Sequence, residues 1–197
     1  MPTGFVLTHL TQLFCLLFAA LPVAAQSGNC TKAFAAPLNS GGTVAMTLRA
    51  GEIEVVGAKT NGLRVTCDIR DKRDQAEVKI SLAAGRLRVS GGPNKGVRYR
   101  IEVPEQTGIT INATAGNMEI RGIAGDKDVE LRAGNLTMDV GKATDYKVAR
   151  ASVTAGNLTA PAFDSQKDGL FRSFRKEYPG GRYRLRVELT AGNLTLR

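Results

Sequence analysis

Cationic and aromatic side chains alternate near the C-terminal end of this sequence. Between positions 172 and 186 there are six arginines or lysines and one acid, Glu177, with Phe174, Tyr178 and Tyr183 among them. A guanidinium group binds carboxylate, sulfate or phosphate through paired hydrogen bonds. The spacing therefore predicts a surface that binds polyanions such as acidic polysaccharide or the phosphates of lipopolysaccharide.

A second segment farther upstream has the same pattern. Residues 98–103 read RYRIEV, and residues 182–187 read RYRLRV. We interpret both as strands that turn tyrosine and aliphatic side chains inward and arginines outward. If the two strands are neighbours, the polyanion-binding surface comprises Arg98, Arg100, Arg172, Arg175, Lys176, Arg182, Arg184 and Arg186. The alternative is that these side chains are solvated and keep sheet edges from pairing with other chains.

Other chemistries lack the residues that they need. The single histidine, His9, lies in the predicted leader, so the exported chain has no imidazole for a catalytic triad or a zinc site. Asp68, Asp71 and Asp74 are evenly spaced, but three cations lie among them, which favours a solvated turn over a calcium site. We therefore expect a protein that is not an enzyme, with no cofactor and no metal.

One enzymatic alternative stays open. Enzymes that cleave polysaccharides can work with carboxylates alone on an exposed sheet. Glu119 and Asp139 face outward in the predicted strands, although they lie on different repeats. They are the candidate acids of a histidine-independent, glycan-active enzyme on a β-helix.

The N-terminal residues predict export. Residues 1–31 contain no Lys, Arg, Asp or Glu, and an apolar run over 13–21 is followed by Pro22-Val23-Ala24-Ala25. This order is typical of a signal peptide that is cleaved after Ala25. An uncleaved anchor is the alternative, although the run is shorter than the ~20 residues that span a bilayer. No second apolar run is long enough to span one, so the periplasm, the cell surface and the medium all remain possible.

The composition is that of an ordinary globular domain with a basic surface. The 197 residues are 43% hydrophobic and 23% charged, with a formal net charge of +9, which is compatible with one domain and not with disorder. Removal of the leader leaves Cys30 and Cys67, and an oxidising compartment predicts a disulfide between them. Two unpaired thiols are the alternative.

A short repeat is the most specific feature of the sequence. Four copies of Ala-Gly-Asn-Leu/Met have their glycines 18, 22 and 36 residues apart, and periods of about 20 residues are typical of stacked repeats. Glycine supplies a positive φ at a corner, and asparagine fits a turn or a ladder of identical side chains. The predicted structural corners are Gly116, Asn117, Gly134, Asn135, Gly156, Asn157, Gly192 and Asn193. Three of these asparagines also begin Asn-x-Thr triplets, which are glycosylation acceptors in a eukaryotic secretory pathway.

Between the corners, apolar and polar residues alternate, as in the runs around Val65 and Ile111. Alternation of this kind indicates half-buried strands. No helical period is found from 44 to 160, and the polar stretch 164–178 predicts a loop. The expected fold is all-β, a short single-domain β-solenoid with coils of roughly 18–22 residues and an N-terminal β-sheet cap over 40–90. An antiparallel β-sandwich is the alternative. We divide the chain into a leader (1–25), an N-terminal tail (26–39) and a repeat domain (40–197).

These segments resemble a known family. The strand YRIEVP at 99–104, the run Gly108-Ile109-Thr110-Ile111 and the Ala-Gly-Asn corners up to the closing AGNLTL at 191–196 are similar to the bacterial "putative adhesin" domain, a family of unknown function in secreted and envelope proteins. The likeness extends over residues 40–197. It implies a β-solenoid or a flattened two-sheet coil, and it implies no catalytic residues.

Together, these observations predict a non-catalytic exported protein. We expect an adhesin-like scaffold that binds a surface polymer, such as acidic polysaccharide or lipopolysaccharide, or a protein partner in the envelope. The predicted leader argues against a cytosolic nucleic acid as partner. Besides the glycan-active enzyme, the alternative is a structural protein that self-assembles through uncapped solenoid ends, because the last repeat strand runs up to Arg197.

Overall fold

The computed structural model describes residues 25–93 and 95–197, so all of the predicted leader except Ala25 lies outside the described residues. Strands dominate this part of the chain. They are β1 (Gln26–Gly28), β2 (Phe34–Pro37), β3 (Thr43–Ala58), β4 (Gly62–Ile69), β5 (Lys79–Ala83), β6 (Arg86–Ser90), β7 (Val97–Pro104), β8 (Gly108–Arg121), β9 (Lys127–Met138), β10 (Tyr146–Ala160), β11 (Ser165–Lys167), β12 (Leu170–Glu177) and β13 (Tyr183–Leu196). One α-helix, α1 (Lys72–Glu77), and two 3-10 turns (Ala143–Asp145 and Pro161–Phe163) complete the described secondary structure.

The five longest strands lie side by side and parallel. Four of them contain one copy of the repeat each, and β3 has Ala-Gly-Glu-Ile at the equivalent position, 50–53. Their spatial order is β3, β8, β9, β13, β10. The register aligns the five corner glycines, which are Gly51, Gly116, Gly134, Gly192 and Gly156 in this order. The expected all-β class is confirmed, and the repeat marks equivalent positions on neighbouring strands.

The stacking order differs from that of a simple solenoid. β13 is inserted between β9 and β10, so the last repeat of the sequence lies inside the stack. Antiparallel pairs flank the parallel strands: β2 with β4, β4 with β7, β5 with β6, and β10 with β11 and β12. The result is a mixed, open sheet. Because its central strands are parallel, it is not the antiparallel β-sandwich that was the alternative prediction. The premise that the last repeat strand forms an uncapped end is wrong, because β9 and β10 cover both of its edges.

Each long strand buries two separate runs of aliphatic side chains. In β9 these are Val129 and Leu131 before the corner, and Leu136 and Met138 after it. Residues on the same face of a continuous strand are an even number of positions apart. The step of five from Leu131 to Leu136 shows that the strand changes the side it buries at its corner. The core is therefore built from narrow aliphatic layers on both sides of the glycines.

The N-terminal part of the chain closes one side of the stack. The C-terminal half of β3 pairs with β7, which pairs with β4, which pairs with β2. The N-terminal half of β3 pairs with β6, which pairs with β5, which pairs with β1. The segment 26–39, expected to be a tail, thus contains two strands of the sheet. A disulfide links Cys30 to Cys67 with a Cα–Cα distance of 5.5 Å, which confirms the predicted pairing.

Two local expectations are wrong. The helix α1 was missed, because its six residues are too few to show a helical period; the Asp71 side chain caps it by accepting a hydrogen bond from the Arg73 N–H at 2.8 Å. The stretch 164–178 forms β11 and β12 instead of a loop. β12 buries only Phe174, so its sequence does not alternate, and pairing with β10 fixes its strand conformation. Among the described residues, no helix combines the length and the hydropathy needed to cross a membrane.

Candidate polyanion-binding surface

The predicted cationic surface is divided between two places in the sheet. Arg98 and Arg100 lie on β7, which pairs with residues 52–58 of β3. Arg182, Arg184 and Arg186 belong to β13 and its preceding turn, and β3, β8 and β9 lie between β7 and β13. The structure therefore does not bring the two RYR segments together.

On β7 the arginines are paired with carboxylates. Arg98 contacts Glu52 at 2.7 Å, and Arg100 contacts Glu54 at 2.7 Å and Glu102 at 3.0 Å. Arg121 also binds Glu54, and this hydrogen bond is the main cause that lowers the pKa of the Glu54 carboxyl, with Arg100 acting in the same direction. Since every guanidinium in this group has an acidic partner, the β7 side offers little free positive charge to a ligand.

On the other side of the stack, three arginines occupy neighbouring positions on three strands. Arg150 of β10 is the register partner of Arg186 on β13 and of Arg175 on β12. Adjacent strands are about 4.8 Å apart, and register partners point to the same face. All three residues are exposed. We call this set, Arg186, Arg150 and Arg175, the arginine row.

Carboxylates neutralise only the ends of the arginine row. Arg186 contacts Asp128 at 2.9 Å and Glu188 at 2.7 Å, and Arg175 is paired with Glu177. The hydrogen bond with Asp128 is the largest cause that raises the pKa of Arg186. Within residues 25–93 and 95–197, the ion pairs found do not include Arg150. The centre of the row is therefore an unneutralised guanidinium between two others.

A concavity of about 650 Å³ adjoins the arginine row. Besides the row, its lining includes Lys167 and Lys176 as cations and Asp164 and Glu188 as acids. The lining thus holds five positive and two negative groups, and Asp128 and Glu177 neutralise the ends of the row from outside it. The positive charge left for an anionic ligand is that of Arg150 and the two lysines. Sequence reasoning missed Arg150 and Lys167. Arg150 lies on the polar side of an alternating run, but only the pairing of β10 with β13 and β12 reveals its neighbours.

The remaining predicted cations are spread around the arginine row. Lys176 and Arg184 are exposed, and the Arg184 backbone N–H donates to Asp126 at 2.8 Å. The guanidinium of Arg182 lies 5.2 Å from the centre of the Tyr183 ring. The Nε of Arg172 is buried without a hydrogen-bond partner among the described atoms. Arg184 adds positive charge to the face of β13 that carries Arg186. Arg172 is instead the register partner of the buried Val153, so it points to the other face from Arg175.

The repeat corners have a clear structural role. Their glycines have φ between 125° and 133° in the four predicted copies. A Cβ on Gly134 would lie 1.8 Å from the backbone oxygen of Gly116, so no side chain fits at the corner. The Asn135 side chain donates to Asn117 at 2.9 Å, and Asn193 donates to Asn135 at 2.8 Å. The predicted asparagine ladder therefore forms across Asn117, Asn135 and Asn193. It uses the Nδ2 atoms of Asn135 and Asn193, to which a glycan would be attached.

A buried lysine lies apart from the arginine row. Lys127 is 2% exposed, at a position where the adjacent strands have Ile109 and Leu185. Its Nζ donates to the Tyr146 hydroxyl at 2.6 Å and to the Gly125 carbonyl at 3.3 Å, and the Tyr146 hydroxyl donates to the Val140 carbonyl at 2.9 Å. Burial lowers the pKa of Lys127 to about 8. Nothing in the local sequence indicated that this lysine would be inside the core.

The carboxylates considered for glycan chemistry share one guanidinium. Arg197 contacts Asp139 at 2.7 Å and Glu119 at 3.1 Å. The two acids are therefore close to each other, Glu119 on β8 and Asp139 directly after the end of β9. In the described part of the chain, no group of three or more Cys, His, Asp or Glu side chains is arranged to hold a metal ion.

Comparisons with known proteins give a fold likeness and no close relative. No protein-family model matches the sequence, and no curated protein matches it. The structure is similar to the crystal structure of a "putative cell adhesion protein" from Clostridium sporogenes, with a TM-score of 0.53 and 14% sequence identity. The likeness covers 84% of this chain and 99% of the other. At this identity it establishes a common fold over most of the chain.

Proposed function

We propose that this protein is a non-catalytic, exported, adhesin-like scaffold whose arginine row binds an acidic polysaccharide. The observation that carries the proposal is the position of Arg150 between Arg186 and Arg175. Like charges directly opposite each other destabilise a sheet. A bidentate anion placed over the row would relieve this repulsion and engage the unneutralised guanidinium.

Two further observations support the exported, adhesin-like part of the proposal. A disulfide is typical of proteins that fold in an oxidising compartment, which fits the periplasm, the cell surface or the medium. The structural neighbour from Clostridium sporogenes is described as a "putative cell adhesion protein". Binding of a surface polymer is a function of the same kind.

The non-catalytic part of the proposal rests on the residues that enzymes use. The single histidine is His9 in the predicted leader, and Cys30 and Cys67 are joined in the disulfide. Glycoside cleavage needs two carboxyl groups free to act on the glycosidic bond, whereas Glu119 and Asp139 are both held in ion pairs with Arg197. Release of reducing ends or unsaturated products from alginate would overturn this part.

The test compares binding to dextran sulfate, alginate and neutral dextran across a salt series. The variants are Arg150→Gln and, as a control that removes the same charge, Arg64→Gln on the exposed face of β4. We expect binding to both acidic polymers that weakens steeply with salt, and no binding to dextran. Because a hydrogen bond to a charged group is strong, Arg150→Gln should weaken binding about tenfold and Arg64→Gln little.

Three results would overturn the assignment of the arginine row. They are no binding at low salt, equal binding to dextran and dextran sulfate, and equal losses in the two variants. The last result would mean that the net charge of +9 attracts polyanions without a defined site. Melting curves of each variant separate loss of binding from loss of folding.

A further inference from the structure

Leu170 and Phe171 form an exposed apolar tip at the start of β12. They are 63% and 80% exposed, and they are the large hydrophobic side chains of the described residues that lie in solvent. The phenylalanines on either side of this tip are covered, since Phe163 in the preceding 3-10 turn and Phe174 on β12 are both in the core. Neighbouring exposed apolar groups on an otherwise polar edge segment can mark a site that meets an apolar partner.

The backbone holds this tip in place at a conformational cost. Phe171 has φ of 54°, a left-handed conformation that bulky residues rarely adopt. The Gly156 N–H donates to the Gly169 carbonyl at 3.0 Å, and Leu170 pairs with Ala155, so the tip is fixed to the corner of β10. Strained conformations persist where the surrounding structure imposes them, and they are concentrated at functional sites.

Cationic side chains flank the tip. The Lys167 ammonium donates to the Ser173 carbonyl at 2.6 Å, and the Arg172 guanidinium lies against Gly169. Asp168 is the one acid between positions 167 and 172. Apolar side chains surrounded by lysine and arginine are typical of protein segments that dock on anionic lipid, because the ring enters the acyl region while the cations stay at the phosphates.

We propose that Leu170 and Phe171 insert into the outer layer of an anionic lipid bilayer, with Lys167 and Arg172 at the headgroup phosphates. The two surfaces share Lys167, which also lines the concavity beside the arginine row, so the bilayer contact would place the row close to the membrane surface. The apolar contact of Leu170 and Phe171 does not require Arg150. A second copy of the chain is the less suitable occupant. Two side chains are a small part of the roughly 1,200–2,000 Å² that stable interfaces bury, and the flanking cations of two copies would repel each other.

The experiment uses protein purified after export, with its N-terminus identified by mass spectrometry. Sedimentation with vesicles measures partitioning onto equal parts phosphatidylcholine and phosphatidylglycerol, and onto phosphatidylcholine alone. The main variant is Phe171→Gly, because glycine adopts the positive φ without strain and should leave folding intact. We expect at least about a tenfold loss of partitioning onto the anionic vesicles for this variant, since an aromatic side chain is removed from the lipid.

A second variant gives a spectroscopic readout. The chain contains no tryptophan, so Phe171→Trp places a single indole at the tip. Its emission should shift to shorter wavelength on anionic vesicles and be quenched by lipids brominated in their acyl chains. The proposal is overturned if wild type does not bind anionic vesicles, if Phe171→Gly binds equally well, or if the indole emission does not shift.

The two proposals fail in distinguishable ways. Phe171→Gly should still bind dextran sulfate as wild type does, and Arg150→Gln should still show the apolar contact on vesicles. Loss of dextran sulfate binding in Phe171→Gly would overturn the separation of the two surfaces. Concentration-dependent dimerisation that disappears in Phe171→Gly would instead assign the tip to a second copy of the chain.

Discussion

Lys127 carries a charge where its neighbours in the sheet carry methyl groups. Ile109 and Leu185 take the equivalent positions on β8 and β13. Only the Tyr146 hydroxyl and the Gly125 carbonyl are found as its hydrogen-bond partners among the described atoms. Burial without a carboxylate partner disfavours the ammonium, which explains why the pKa of this lysine is lowered.

The lowered pKa of Lys127 makes stability depend on pH. Its ordinary pKa is 10.5 and its folded pKa is about 8, so between these values the unfolded chain holds more protons than the folded one. Stability contributed by this group therefore rises with pH from about 8 and is at its lowest below 8. Burial also raises the pKa of Tyr146, and this opposes the rise once unfolded tyrosines begin to ionise near pH 10.

Replacement of the lysine should remove this dependence. We expect Lys127→Met to be more stable than wild type at pH 7 by on the order of 2 kcal/mol, and the difference should shrink towards pH 9.5. Urea unfolding at several pH values measures it. Lys147→Met, at an exposed position on β10, is the control. A difference that stays the same at every pH would contradict the assignment of the penalty to a buried charge.

At the scale of the element, the corner glycines decide how closely the long strands approach each other. Gly134 has φ of 132°, and a Cβ atom at this residue would lie 1.8 Å from the backbone oxygen of Gly116. The positive φ and the lack of space act on the same residue, so no other amino acid meets both conditions. The asparagine ladder then adds hydrogen bonds between the same strands.

We expect Gly134→Ala to destabilise the protein by roughly 3 kcal/mol or more, because the new methyl group forces β8 and β9 apart. Thermal or urea unfolding measures the loss. Gly180→Ala is the matched control, since a Cβ there meets nothing within 4 Å and its φ is not positive. Equal stability of the two variants would show that the corner tolerates a side chain, and would remove the structural explanation of the repeat.

At the scale of the whole molecule, the order of the strands is the main departure from sequential stacking. The last repeat strand, β13, pairs with β9 on one side and with β10 on the other. The chain leaves the stack after β10, forms β11 and β12 at its edge, and returns inside it. This return brings Arg186 beside Arg150, so the arginine row depends on the unusual order.

Engineered disulfides test this order directly. Thr137, Thr195 and Thr159 are register partners on β9, β13 and β10. We expect the pairs Thr137→Cys/Thr195→Cys and Thr195→Cys/Thr159→Cys to oxidise readily, because neighbouring strands place Cα atoms within bonding range. The pair Thr137→Cys/Thr159→Cys should stay reduced, since a strand lies between them. Mass spectrometry identifies the links, and efficient linkage of this last pair would support sequential stacking instead.

Much of the fold was accessible from short-range patterns. Strand alternation gave the all-β class, and the Ala-Gly-Asn copies correctly located the corners. The even number of cysteines after the predicted leader indicated the Cys30–Cys67 disulfide. By contrast, β12 was missed because edge position, and not alternation, determines its conformation.

What the sequence alone determined are the features that depend on neighbouring residues: strand periodicity, glycine corners and the basic segment at 172–186. Tertiary structure alone decided which strands are adjacent. That choice separated Arg98 and Arg100 from Arg186, brought Arg150 between Arg175 and Arg186, and buried Lys127 beside Tyr146. The physical reason is that all copies of the repeat offer almost the same edge to a partner. Strand order therefore depends on long-range packing of the connecting segments, which no local pattern records.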